Sequence, residues 1–413
     1  MKKSSFLYIL IFISTLACSS DYETSFNYFG NVMASKLNKN GFTSNNYNYD
    51  NVDNDTSFSP YSKLGGQVSI YNDKYKFTSQ AITYRNHHEY KAKFTWLNVN
   101  YDFNENLALR VGRMQSNLLF NSDSLHIDYI HTMTHSPNEV YRIIALEHYD
   151  GVELTYKDFI NDDYNYAVTL VPYGKAKQNI NTTFDIEENI ELKNINSIRL
   201  NITNDDNIEI HTSYTKLKSS LEDSSALKTV TNGLKSYGNN VDEYSYEDKD
   251  TTIFTLGLNY SYENYILNTE ISRYETKSMN PDTTAYYVML GYNWDKFTPY
   301  IAYAKSKNDK EHFDTSGLNT PDATSASLQR GLDDMLYLTN YSQRTQSLGL
   351  RYNIKPGLAI KTQIDRITTT NYGSISDSTV SSSGYERRGI LGRFAGTDNE
   401  AVYLYTIGLS FAF

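Results

Sequence analysis

The chain has 413 residues, with 48 acidic against 38 basic side chains and a formal net charge of −10. That balance speaks against a nucleic-acid partner, which asks for a basic face, and a single cysteine excludes a disulfide framework. Mean hydropathy is −0.57, yet 38 tyrosines and 18 phenylalanines accompany 2 tryptophans. Tyrosine sets a ring in an interface and a hydroxyl in water, which suits a strand-built membrane protein and also a Tyr-rich secreted sandwich.

The N-terminus reads as an export signal over residues 1–19. Met1-Lys2-Lys3 gives a positive start, Phe6 to Ile13 is an unbroken apolar run, and Thr15-Leu16-Ala17 offers a cleavage site. The run is too short to span a membrane as a helix. Cleavage is expected after Ala17 or slightly later, near Ser19 or Ser20. Cys18 sits at the junction and raises lipidation as an alternative, although Thr15 stands where a lipobox usually has Leu. Beyond this segment no stretch approaches the roughly 20 apolar residues of a membrane helix.

Residues 20–413 divide into period-2 segments bounded by Asn, Asp and Gly. In chain order the expected strands are Ser25–Leu37, Lys63–Tyr71, Lys74–Arg85, Tyr90–Phe103, Asn106–Met114, Gly151–Phe159, Tyr164–Tyr173 and Asn194–Thr203. They continue with Asn207–Leu217, Thr251–Tyr262, Tyr265–Tyr274, Ala285–Trp294, Phe297–Ser306, Arg344–Ile354, Leu358–Thr369 and Ala401–Phe413. Sixteen is an even count, as a single-chain transmembrane barrel requires. Every other connection is tight, from Asn72-Asp73 to Lys355-Pro356-Gly357, and built from residues that tolerate hairpin turns. The connections between them include long ones: Asn38–Ser62, Gln115–Asp150, Lys218–Asp250, Lys307–Gln343 and Thr370–Glu400. This sorting predicts short periplasmic turns and long extracellular loops, and a sandwich has no reason to produce it. Alternation is clean in Phe254, Leu256, Leu258 and Tyr260 against Thr255, Gly257 and Asn259. Between Lys91 and Phe103 the apolar face changes around Thr95-Trp96-Leu97, which predicts a bulge.

The closing stretch Tyr405-Thr406-Ile407-Gly408-Leu409-Ser410-Phe411-Ala412-Phe413 resembles the last strand of Gram-negative outer-membrane porins. Arg110-Val111-Gly112-Arg113, Pro137-Asn138-Glu139-Val140-Tyr141 and Tyr149-Asp150-Gly151-Val152 resemble a group of porin-like proteins. The resemblance implies an all-β, 16-stranded barrel in the outer membrane that passes small hydrophilic solutes or ions. It implies contact with outer-membrane lipid, recognition of the Phe413 strand by the barrel assembly machinery, and a homotrimer. One departure bears on the trimer: the Asn86–Glu89 link is very short where trimeric porins use a long second loop as a latch. The resemblance also places Gln115–Asp150 where porins fold a loop into the barrel.

Twelve apolar side chains in that link, among them Leu118, Leu119, Phe120, Val140 and Leu146, would be costly to hold in water. The link is therefore expected inside the lumen, narrowing it. Asp123, Asp128, Glu139 and Glu147 are its candidate constriction groups; Arg110, Arg199, Glu270, Arg351, Lys361 and Asp365 occupy polar-face positions on the wall. Opposed charges across a narrowing select solutes by charge, whereas the bland reading is a wall that is polar because it is wet. With the acidic surplus, weak cation preference is expected. Four histidines in the same link, His126, His131, His135 and His148, lack the spacing of a metal site. No phosphate loop, nucleophile elbow or paired carboxylates point to catalysis or a cofactor. A barrel that acts through its long loops, as an adhesin or phage receptor, and a substrate-specific channel are the competing functions.

Overall fold

The computed structural model describes residues 22–40, 44, 50–86, 88–116, 118–142, 146–181, 187–204, 207–309, 314–339, 341–371, 388–389, 392–393 and 401–413. The expected signal over 1–19, its cleavage site and Cys18 lie outside these residues, as do Asp205-Asp206, Ile143, Ile144 and most of Thr370–Glu400.

Sixteen antiparallel strands close on themselves. They are β1 Glu23–Leu37, β2 Lys63–Tyr71, β3 Tyr75–Asn86, β4 Glu89–Asp102, β5 Leu107–Gln115, β6 His148–Phe159, β7 Tyr164–Asn181 and β8 Glu187–Asn204. After them come β9 Ile208–Leu221, β10 Lys249–Tyr262, β11 Tyr265–Thr276, β12 Thr283–Tyr292, β13 Phe297–Asn308, β14 Tyr341–Lys355, β15 Leu358–Asn371 and β16 Ala401–Ala412. Each strand pairs with its sequence neighbours, and β16 pairs with both β15 and β1. The seam is closed at its short-turn end by Tyr28 and Phe413, whose backbones exchange two hydrogen bonds of 2.8 Å. Closure is what the medium demands, because an open edge in lipid leaves backbone groups without partners.

The outer face carries Phe254, Leu256, Ile271, Val288, Leu290, Ile301, Leu348, Ile364 and Ile407, all well exposed. Such an apolar wall is stable only against lipid. The change of face in β4 is a bulge: Gln80 pairs with Trp96 and Ala81 with Phe94, leaving Thr95 as the extra residue. Thr95 and Trp96 therefore both turn inward, where Thr95 donates to Gln80 Oε1 at 2.6 Å and Trp96 Nε1 to Gln115 Oε1 at 2.6 Å.

The β7–β8 hairpin is longer than its apolar pattern predicts. Gly174, Lys175 and Lys177 read as loop, yet pairing continues to Asn181–Glu187. Cross-strand attraction supplies part of the reason, since Lys177 lies 3.1 Å from Glu191. Two long connections also build helices. In α2, Ser225–Ser236, the Ser224 side chain caps the Leu227 N–H, and Gly238, at φ +83°, ends the turn after it. Helix α3, Ala323–Thr339, is capped by Asp322, whose carboxylate accepts from Ser325 N at 2.8 Å. Leu227, Leu234, Val241, Tyr244, Met279 and Leu332 form a small core between them. Gly233 permits the contact, because a Cβ there would stand 2.6 Å from Leu328.

Candidate functional site

The connection between β5 and β6, residues 116–147, runs down inside the barrel. Its entry is fixed on β9 and β10: the Leu118 carbonyl accepts from Ser213 Oγ at 2.9 Å and Thr255 Oγ1 at 2.7 Å. Phe120 follows, its backbone N–H donating to Glu270 at 2.8 Å and its ring lying over Gly257, where a Cβ would meet it at 2.9 Å. The chain then crosses to the opposite wall. Asp128 contacts Asn31 of β1, lies 2.9 Å from Lys63 of β2, and its carbonyl accepts from Lys361 of β15. Tyr129 reaches the short-turn end, where its hydroxyl accepts from the Gly357 N–H at 2.8 Å.

The return leg follows β15, β14 and β11. Thr134 bonds to Gln363 at 3.0 Å, His135 lies 3.2 Å from Asp365, and Glu139 accepts from Gln343 at 2.7 Å. Residues Asn138–Tyr141 form a single helical turn, α1 in chain order, and the Tyr141 hydroxyl donates to Glu270 at 2.8 Å. Glu147 closes the excursion against Lys93 of β4. Leu118, Leu119, Met133, Val140 and Leu146 pack with Ile253, Ala285, Tyr287, Met289, Tyr300, Ala302 and Ala304 of the inner wall into one core. Complete burial contributes on the order of 1.5–3 kcal/mol for each large apolar side chain, which is why this segment leaves water.

The ten sequence-derived residues fall into two groups. Asp128, Glu139, Glu147, Glu270, Arg351, Lys361 and Asp365 tie the segment to the wall. Lys361 is fully buried and also donates to Met133 O at 3.0 Å; Arg351 donates to Tyr129 O at 2.6 Å and His131 O at 2.9 Å, stacked 4.8 Å from the Tyr129 ring. Burial raises Glu139 against the lowering effect of Gln343 and Thr345. For Glu147 burial acts in the same sense, but Lys93 overrides it and the carboxyl is held at about 2.

Asp123, Arg110 and Arg199 stand apart. Asp123 keeps an exposed side chain within the barrel; enclosure by the surrounding protein raises its carboxyl above the ordinary value, and Arg199 and Arg110 offset only part of that rise. Arg110 lies 3.1 Å from Glu153 and 5.3 Å from the Trp96 ring, while Arg199 donates to Thr169 at 3.2 Å. Arg351 does not face a segment carboxylate as an opposed pair; its partners are carbonyls.

Several residues went unread in the sequence: Asn31, Lys63, Lys93, Gln343 and Gln363 as sockets, and Glu153 and Glu209 beside the arginines. One signal for the filled side was present. In Ala285-Tyr286-Tyr287-Val288-Met289-Leu290 both faces are apolar, the pattern of a strand covered on both sides rather than one lining water. Among the described residues no cluster of His, Cys, Asp or Glu could hold a metal.

A closed barrel of sixteen strands, apolar outside and crossed by the connection after its fifth strand, has the fold of outer-membrane porins. An anion-selective porin from Comamonas acidovorans superposes with a TM-score of 0.55 at 12% identity, covering 95% of this chain and 100% of that one. OmpT, an outer membrane protein of Vibrio cholerae, gives 0.54 at 12% identity over 96% and 99% of the two chains. The likeness is one of fold. No protein-family model and no curated protein matches the sequence.

Proposed function

We propose that the chain is a passive diffusion channel for small hydrophilic solutes and ions in the outer membrane of a Gram-negative bacterium, with a weak preference for cations. The observation that carries this reading is the asymmetry of the lumen. Segment 116–147 sets Leu118, Leu119, Met133, Val140 and Leu146 into one core with the inner wall and is tied by polar contacts to β1, β2, β4, β11, β14 and β15, while Asp123 remains exposed and faces Arg110 and Arg199 from β5 and β8. A barrel of this strand number leaves an aqueous interior wide enough for such a segment and a passage beside it. Asp123, Glu153 and Glu209 set three carboxylates against the two guanidinium groups there, a surplus of the same sign as the chain's net charge. No catalytic step is assigned to the chain. The Phe413 strand serves as the element read during barrel assembly, and a trimer is the assembly that the porin-type barrel suggests.

Reconstitution in planar bilayers tests this reading. Open-channel currents with a reversal potential on the cation side in a salt gradient are expected; absence of conductance from a closed, correctly folded barrel would overturn it.

A second reading rests on α2 and α3, whose shared core makes the long connections a packed unit. A barrel that binds partners through its loops would lose attachment, but not conductance, when both helices are removed.

A further inference from the structure

The outer wall of β13, β14 and β15 carries a group of cations that meet no carboxylate among the described residues. Alternation fixes their direction: Ala304, Ser306, Gln343, Thr345, Asp365 and Ile367 are buried inside, so Lys305, Lys307, Arg344 and Arg366 point outward. Lys305 and Arg344 are direct partners across the ladder, and Arg366 pairs with Gln346, one inter-residue step of the same face from Arg344. Like charges directly opposite one another destabilise a sheet. None of the ion pairs among the described residues involves these four.

The contrast with neighbouring strands is what gives the cluster meaning. On β7 to β11 four outward cations meet carboxylates, Lys177 with Glu191 at 3.1 Å, Lys193 with Asp248 at 3.1 Å, Lys218 with Asp250 at 3.8 Å, and Arg273 with Asp309 at 2.9 Å, while Lys216 stands alone over the Tyr214 ring at 5.7 Å and forms no cluster. In a chain with an acidic surplus, a cationic patch without such partners is an exception to its own composition. Height along the wall supplies the second observation. One or two steps toward the short-turn end lie the exposed Ile301, Leu348 and Ile364, which face hydrocarbon. Tyr286 and Tyr303 lie tilted against each other, ring centroids 6.2 Å apart, beside Lys305, and Tyr403 pairs with Arg366. Aromatic rings at this level mark the boundary between acyl chains and headgroups. The cations stand at that boundary, on the long-loop side.

We propose that Lys305, Arg344 and Arg366, with Lys307 above them, form a binding site for the phosphate-bearing headgroup of an outer-leaflet lipid. The acyl chains lie along Ile301, Leu348 and Ile364. Arginine and lysine donate charge-assisted hydrogen bonds to phosphate oxygens, and the anion removes the Lys305–Arg344 repulsion. The inference rests on the barrel's position in a membrane and not on what passes through its lumen, so it stands or falls separately from the channel.

The test is native mass spectrometry of the full-length barrel in detergent, titrated with diphosphorylated lipid A. Wild-type protein binds it, and Lys305→Gln/Arg344→Gln/Arg366→Gln binds roughly a hundredfold more weakly, the loss expected for three basic residues at an anionic surface. The Lys177→Gln/Lys193→Gln variant, whose lysines already face carboxylates, binds as wild type does. A change of gel mobility on boiling verifies that each variant is closed. An arm with wild-type protein alone needs no substitution: the same lipid stripped of its phosphates must bind far less. Equal binding by the triple variant, equal binding of the dephosphorylated lipid, or complete displacement by millimolar inorganic phosphate would each overturn the proposal.

Discussion

The Tyr129 hydroxyl accepts a 2.8 Å hydrogen bond from the backbone N–H of Gly357. Tyr129 belongs to a connection that leaves the barrel wall at its long-loop end, and Gly357 to a turn at the opposite end. Segment 116–147 therefore traverses the height of the lumen instead of hanging across its middle. Gly357 has little freedom of its own: its φ is +81°, and a Cβ there would stand 2.6 Å from Ala412 O.

Asp128 holds this descent in place at the seam. It bridges Asn31 and Lys63 on one side of β16 and Lys361 on the other. Asp128→Ala leaves Lys63 buried without its anion, and breaking a buried pair costs on the order of 3–5 kcal/mol. The temperature at which unboiled protein loses its compact gel mobility should fall clearly, and less for Asp128→Asn. An unchanged transition temperature would mean that the seam does not depend on this contact.

The pair Glu147–Lys93 makes stability depend on pH with a defined sign. The Glu147 carboxyl is at about 2 when folded, against an ordinary value of 4.5. A depressed carboxylate stabilises fully above its unfolded value, and the contribution drains away as pH falls through 4.5 toward 2. The difference in unfolding temperature between wild type and Lys93→Met should be largest near neutrality and vanish in strong acid. A difference that stays constant across that window would assign the effect to packing.

Sidedness follows from strand parity. A protease site inserted at Gly238, where nothing lies within 4 Å of an added Cβ, should be cut on intact cells. The same insertion at the Glu263-Asn264 turn between β10 and β11 should be protected until the outer membrane is breached. The reverse pattern would invert the topology.

Charge at the passage can be read directly. Asp123→Asn should move the reversal potential in a salt gradient toward the anion side, and Arg199→Gln toward the cation side, with small changes in conductance. Identical reversal potentials in wild type and both variants would remove these residues from the ion path.

The strands were legible because lipid outside and a polar interior impose period 2 on most of them, the run Ala285 to Leu290, apolar on both faces, being an exception. The turns were legible because Asn, Asp and Gly supply the required backbone. Even the Thr95 bulge showed, as a slip in the phase of apolar residues. The interior was less so. Alternation says that Lys63, Lys93, Gln343 and Gln363 point inward, but not that each meets a residue far away in the sequence, as Gln343 meets Glu139. Polar side chains that line water and polar side chains that anchor a segment look alike in one sequence. The length of β7 and β8 was missed because Lys177 and Glu191 read as loop when taken singly and as a cross-strand pair only once register is known.

Single-channel conductance of a variant lacking Ser124 to Arg142 tests the central claim most directly. The deletion removes the part of segment 116–147 that crosses from β11 to β15 and back, and leaves the wall strands whole. Boiled and unboiled samples establish that the shortened barrel is closed. Conductance should rise well above that of wild type, and the selectivity set by Asp123 should stay, because that residue is retained. A correctly closed deletion variant with wild-type conductance would show that the segment does not narrow the path, and would contradict the account.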